Sequence, residues 1–326
     1  MGRASAIGRR EDSKRRGGCG ATPREREKGW RLGKDGAQDM RMKRGILGVV
    51  GFAGLWVVLT AALAPAVRSG VEALAPGVYP FARIFGRVQL GVALALVPGL
   101  LFFWRQDPRR FLEVGRWKRQ GLRMGLWAGL GMGMLGLVAL GQSGLGVRRW
   151  GGVPGWGVWL GAGGAGILVA VLEEFFFRGV LGLAWWRAMG GQRVGWLVGV
   201  GAVVFAGAHF LRPVPGVELG WDAGFLAWTR LELWAGAVDP WKLGGLFVAG
   251  LILGRMAWAQ GTLAGPIGLH AGWVAGWKIA EVAWPEVPQA TAGWWGPSLE
   301  AGPLPFLVLL VFALALWGRP ILARLD

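Results

Sequence analysis

Apolar residues fall in long runs separated by short polar or Gly/Pro-containing breaks, and eight such runs are readable, at 45–67, 88–104, 124–142, 155–188, 194–211, 242–260, 262–280 and 304–317. A helix needs about 20 apolar residues, at roughly 1.5 Å of rise each, to cross the hydrocarbon of a bilayer. The pattern therefore predicts an all-α protein, a polytopic transmembrane helix bundle of about eight spans. Gly recurs inside the runs, as in G-A-G-G-A-G at 161–166, where helix backbones are expected to approach closely.

Composition agrees with this reading. The 326 residues are 53% hydrophobic, with 60 Gly and 22 Trp, and the mean hydropathy is +0.42. Four segments follow: a basic tail at 1–44 expected to be disordered, N-terminal transmembrane helices at 45–150, a core at 151–285, and a C-terminal loop and last helix at 286–326. Met40 and Met42 stand just before the first run, where an alternative start would fall. Lys43-Arg44, the apolar run and A-L-A-P-A-V have the three parts of a signal peptide, but the run is too long, so an uncleaved span is expected.

The net charge of +17 is concentrated in two blocks beside apolar runs. Residues 1–44 carry 14 Lys/Arg against 6 Asp/Glu, and Arg105, Arg109, Arg110, Arg116, Lys118, Arg119 and Arg123 form the second block. Such blocks set topology and attract anionic lipid. They place the N-terminus in the cytoplasm of a multi-pass cell-membrane protein, with the bilayer rather than nucleic acid as partner. The single cysteine, Cys19, excludes a disulfide framework and a Cys-based metal site.

The candidate chemistry lies within the spans. V-L-E-E-F-F-F-R-G-V at 171–180 puts Glu173, Glu174 and Arg178 into an apolar run. Glu174 and Arg178 share a helix face at i,i+4, acid before base, which is the better order for a pair. Glu173 is turned about 100° away, beside Phe176 and Phe177, without a local partner. An unpaired carboxylate of this kind suits a general base. Both histidines of the chain are also within apolar runs, His209 in F-A-G-A-H and His270 in L-H-A-G-W-V. Taking Gly190-Gly191 as the turn, Glu173 and His209 each lie roughly 26 Å from it, at matching depth on antiparallel helices. His270 is only about 12 Å past a turn near Gly261-Thr262, so a deeper turn, a tilt or a break at Gly265-Pro266 is required. Intramembrane ionisable groups are rare and mark function. Taken singly, the ion pair and each histidine read as packing; the set together reads as a site.

The order E-E-x-x-x-R (Glu173, Glu174, Arg178), F-x-x-x-H (Phe205, His209) and H-x-x-x-hydrophobic (His270, Val274) resembles the CPBP intramembrane proteases, which include the type II CAAX prenyl endopeptidases and bacteriocin-processing, Abi-like proteins. F-x-x-G-L-I-L-G at 247–254, Thr262-Leu263 and P-I-G-L-H-A at 266–271 are similar as well, so the resemblance covers about 155–280. It implies a hydrolase that cleaves peptide bonds of membrane-associated peptides or proteins. Glu173 would activate water with help from His209, and His270 would polarise the carbonyl or stabilise the oxyanion. Glu174 and Arg178 would support them. Some members carry Asn where Val274 stands here, and the chain has no Asn at all. The family is commonly described as metalloproteases. Glu173, His209 and His270 would then ligate a divalent ion such as zinc, although a metal-free glutamate mechanism uses the same residues. A transporter or proton-linked channel, and a non-catalytic immunity or binding protein, are the competing readings.

Overall fold

The computed structural model describes residues 23–107, 117–189, 194–214, 220, 222–287, 295 and 298–317. The chain divides into two compact units, Met1–Met40 and Arg41–Asp326. Nine helices occur among the described residues: α1 Pro23–Leu74, α2 Phe81–Trp104, α3 Trp117–Gly144, α4 Trp156–Glu174, α5 Val194–Ala208, α6 Ala223–Thr229, α7 Pro240–Gln260, α8 Ala264–Ala283 and α9 Pro303–Trp317. α4 continues without a break as a π-helix over Phe175–Ala184 and a final turn at Trp185–Ala188. No strand is present among the described residues, where β pairing is limited to isolated bridges.

The helical membrane bundle expected from the hydropathy pattern is therefore observed. All eight apolar runs fall on helices, and four of the helices are long and apolar enough to cross a bilayer: Asp39–Leu74, Phe81–Trp104, Arg119–Gly144 and Pro240–Gln260. Gly195–Ala208 and Pro303–Trp317 are apolar but shorter. α1 starts at Pro23, upstream of position 45 where the first run begins. The Gly190-Gly191 turn lies outside the described residues. Large apolar side chains on α1, α3, α4 and α9, among them Leu47, Leu126, Leu160 and Val311, face outward. That is the surface a bundle presents to lipid.

Local signals set the helix ends. α7 begins after Asp239, whose carboxylate accepts the Lys242 N–H at 2.9 Å, with Pro240 in the first turn. It ends at Gly261, which takes the left-handed conformation at φ +64°. α8 then runs on through Pro266, which sits in the first turn where a missing N–H is harmless. There is accordingly no break at Gly265-Pro266.

α8 carries the last histidine, and its position differs from the antiparallel-neighbour picture. It packs chiefly against α3 and α4, whereas α7 packs on α5 and α9. The cause is a stripe of glycines at i, i+4 and i+8. A Cβ at Gly268, Gly272 or Gly276 would run into the backbone of Met124, Ala128 or Met132 on α3. Gly166 of α4 lies equally close to the Ala271 carbonyl. Backbone-to-backbone approach without side chains between is the packing of small-residue membrane helices. It wedges α8 against α4, with His270 facing the acidic end of α4. α6 tucks Ala223 and Ala227 against Ala64, Phe81 and Phe85 of α1 and α2.

Candidate active site

The change from α- to π-helix falls directly after the two carboxylates. Glu173 and Glu174 end the α-helical part of α4, and Arg178 lies in the π-helical turn. π segments inside helices are frequent at functional sites. The expected i,i+4 pair forms, Arg178 Nη1 donating to Glu174 Oε1 at 2.7 Å. Glu174 is fully buried. The same Oε1 meets His270 Nδ1 at 2.8 Å, a contact the sequence did not suggest. Glu174 thus links Arg178 to His270, while its Oε2 and Arg178 Nη2 are buried without a protein partner.

Because the carboxylate only accepts, His270 must carry its proton on Nδ1 and leave Nε2 free. That Nε2 is 3.9 Å from Glu173 Oε2, itself buried and without a hydrogen bond, although Glu173 as a side chain remains 24% exposed. Direct bonding is excluded at this separation, but one water can bond both atoms.

His209 closes α5. Its Nδ1 lies 2.8 Å from the Phe205 carbonyl, which again fixes the proton on Nδ1 and leaves Nε2 as an acceptor. Phe205 is the buried hub of the cluster. Its ring stands edge-on to His209 at 4.8 Å and to His270 at 6.0 Å between centroids, and the Arg178 guanidinium lies over it at 4.1 Å. A desolvated cation–π contact of this type contributes about 2 kcal/mol. One aromatic ring therefore holds three of the polar side chains in place.

Two cavities meet at His209. The larger, of ≈ 410 Å³, is bordered by Glu173, His209, Phe176 and Phe177 together with Trp56 and Gln89 of α1 and α2. The other, of ≈ 180 Å³, is bordered by His209, His270, Val274 and Trp273, with Lys242 and Glu300 at its edge. Lys242 and Glu300 form an ion pair at 2.7 Å. Glu173 and His209 border one cavity. The structure brings Glu173, Glu174, Arg178, Phe205 and His270 together, joins His209 to them through Phe205, and sets Val274 on the wall shared with both histidines.

Gln89 is not among the residues that the motifs single out. It is the one amide or charged side chain in the run 88–104, which was the available signal. Its Nε2 is buried with no hydrogen-bond partner.

The comparisons with known proteins bear on this site. Residues 155–276, from the residue before α4 to two positions past Val274, match the model of the family described as type II CAAX prenyl endopeptidase Rce1-like. This segment is an Rce1-like domain. The chain matches no curated protein and no solved structure. The Rce1-like domain contains Glu173, Glu174, Arg178, Phe205, His209, His270 and Val274, and its family is one of CAAX peptidases, so the protein carries a hydrolase domain embedded in membrane helices. Gln89 and the rest of α1 and α2 lie outside the Rce1-like domain.

Among the described residues no group of three or more His, Cys, Asp or Glu is arranged to hold an ion. Glu173, His209 and His270 do not form such a group.

Proposed function

We propose that the protein is an intramembrane endopeptidase in which Glu173 and His270 together hold the hydrolytic water. The observation that carries this reading is the 3.9 Å gap between Glu173 Oε2 and His270 Nε2, with the imidazole fixed from behind by Glu174. A water in the gap donates one O–H to the carboxylate and the other to the imidazole, which leaves an oxygen lone pair for attack on a peptide carbonyl. As the C–O bond forms, Glu173 takes the proton. The tetrahedral intermediate then collapses, the C–N bond breaks, and that proton passes to the leaving nitrogen, giving a carboxylic acid and an amine. His209, the second imidazole at the cavity, assists this transfer through its free Nε2.

Two cavities on either side of the gap suit a chain lying across it. The larger cavity, walled by Phe52, Trp56, Phe176 and Phe177, favours a substrate segment with bulky apolar groups. The name of the matched family supplies the class to try first, a C-terminal CAAX segment bearing a prenyl group.

The test is cleavage by purified protein in proteoliposomes, on a peptide library with prenylated and unprenylated CAAX members, with cut sites read by mass spectrometry. Wild-type protein is expected to cleave and Glu173→Gln to be folded and inactive. Equal products from both, or none from the wild type, would overturn the reading.

A further inference from the structure

The water-holding arrangement lacks one element, a donor for the carbonyl oxygen: Arg178 Nη2 is unpartnered, but Arg178 borders neither of the two cavities at His209. Both histidines spend their Nδ1 proton on an acceptor, His270 on Glu174 and His209 on the Phe205 carbonyl. In the neutral ring each Nε2 is then an acceptor and cannot bond an oxyanion. Val274 has no polar atom. Lys242 is paired with Glu300, and Arg212, at the rim of the larger cavity, is paired with Glu232 at 2.6 Å. Trp56 Nε1 donates to the Gln89 backbone carbonyl at 2.8 Å.

Resting on the hydrolytic reading above, we infer that Gln89 of α2 is a further catalytic residue, whose side-chain amide donates to the carbonyl oxygen of the scissile bond and to the oxyanion that replaces it. Gln89 borders the same cavity as Glu173 and His209 and is only 7% exposed. Its Nε2 has no hydrogen-bond partner. A buried amide donor left unmade costs free energy, and it is repaid here when a substrate oxygen arrives. A neutral donor that strengthens its bond as charge develops accelerates the reaction, because it holds the transition state more tightly than the substrate. The assignment makes α2, outside the matched domain, part of the reaction centre. It also supplies from another helix the donor that Val274 cannot.

The experiment compares full-length wild type with Gln89→Leu and Gln89→Glu in proteoliposomes. Leu fills similar space without a polar atom, and removing an unpaired buried amide leaves the melting temperature unchanged or higher. Three quantities are measured: kcat and KM on a cleaved peptide, melting temperature, and affinity for a peptidyl phosphinate whose tetrahedral oxygens imitate the intermediate. Gln89→Leu is expected to lower kcat by about 10²–10³-fold with KM changed only a few-fold, and to weaken the phosphinate by a similar factor. Gln89→Glu, which puts an acceptor where a donor is needed, is expected to be at least as impaired. The inference is overturned if Gln89→Leu keeps wild-type kcat, if its loss tracks a fall in melting temperature, or if phosphinate affinity is the same in both or absent in wild type. A wild type that cleaves nothing refutes the hydrolytic reading itself. A wild type that cleaves, with Gln89→Leu its equal, refutes only the role of Gln89.

Discussion

Replacing Glu174 separates its two duties, because one oxygen performs both. Oε1 accepts from Arg178 Nη1 at 2.7 Å and from His270 Nδ1 at 2.8 Å, while Oε2 has no partner. In Glu174→Gln the amide oxygen can keep both bonds, with its NH₂ group in the place of Oε2. The His270 bond then becomes a neutral one, about 0.5–1.5 kcal/mol in place of about 1.5–3, while the guanidinium keeps a hydrogen bond but loses its counter-charge, so Gln is expected to cost more than the about 1–1.5 kcal/mol of the first change alone and less than Ala. Glu174→Ala removes both bonds and leaves the guanidinium of Arg178, 5% exposed, without its carboxylate. Breaking a buried pair from one side costs about 3–5 kcal/mol. Stability should fall from wild type to Gln to Ala, read by tryptophan fluorescence during denaturant unfolding in detergent.

Activity should not follow the same path. Losing the carboxylate that fixes the tautomer of a catalytic imidazole costs up to about 10⁴ in kcat in well-studied hydrolases. The double variant Glu174→Leu/Arg178→Leu buries no charge, and apolar replacement of a whole buried pair is often neutral or stabilising. Its stability should recover toward wild type while cleavage, assayed where every variant is folded, stays lost because His270 is no longer held. Recovery of both would refute the role given to Glu174, since it would then act only as the counter-ion of Arg178. A Glu174→Ala protein as stable as wild type would refute the buried pair itself.

Gly272→Val places a branched side chain against the Ala128 backbone; it should cost about 1–3 kcal/mol and lower activity by moving His270, whereas Gly161→Ala, which meets nothing within 4 Å, should be neutral or slightly stabilising. Turnover should survive exhaustive chelation, with elemental analysis showing no stoichiometric metal; inactivation reversed by added zinc would establish an ion that the present side-chain arrangement does not accommodate. Val274→Asn adds an amide on the wall shared with His209 and His270; rate should stay level or rise, and a folded but inactive variant would make position 274 a packing contact.

Much of the fold was legible because lipid imposes one rule, that every backbone polar group be satisfied within its own helix. The eight apolar runs could hardly be anything but helices, and the Glu174–Arg178 pair follows from spacing alone. Span count was less secure, since length and hydropathy single out four helices while α5 and α9 are short. α1 begins at Pro23, ahead of the first apolar run.

The site was legible residue by residue but not contact by contact, and the reason is the placement of α8. Counting residues from a turn gives the depth of a side chain only if the helices joined by that turn are also neighbours. α7 and α8 are consecutive, yet the turn at Gly261 sends α8 to α3 and α4. Gly268, Gly272 and Gly276 announce, by their spacing of four, that some backbone must come close along that face. Nothing in the spacing says which helix it will be. The identity of the neighbour comes from the facing surface, where Gly131 of α3 meets the Leu269 carbonyl and Gly166 of α4 meets that of Ala271. Only a helix with its own gap can accept another at that distance. The contact that turns Glu174 from a counter-ion into a clamp on His270 follows from this fit between two sets of glycines, a property of the pair of helices that neither helix carries alone.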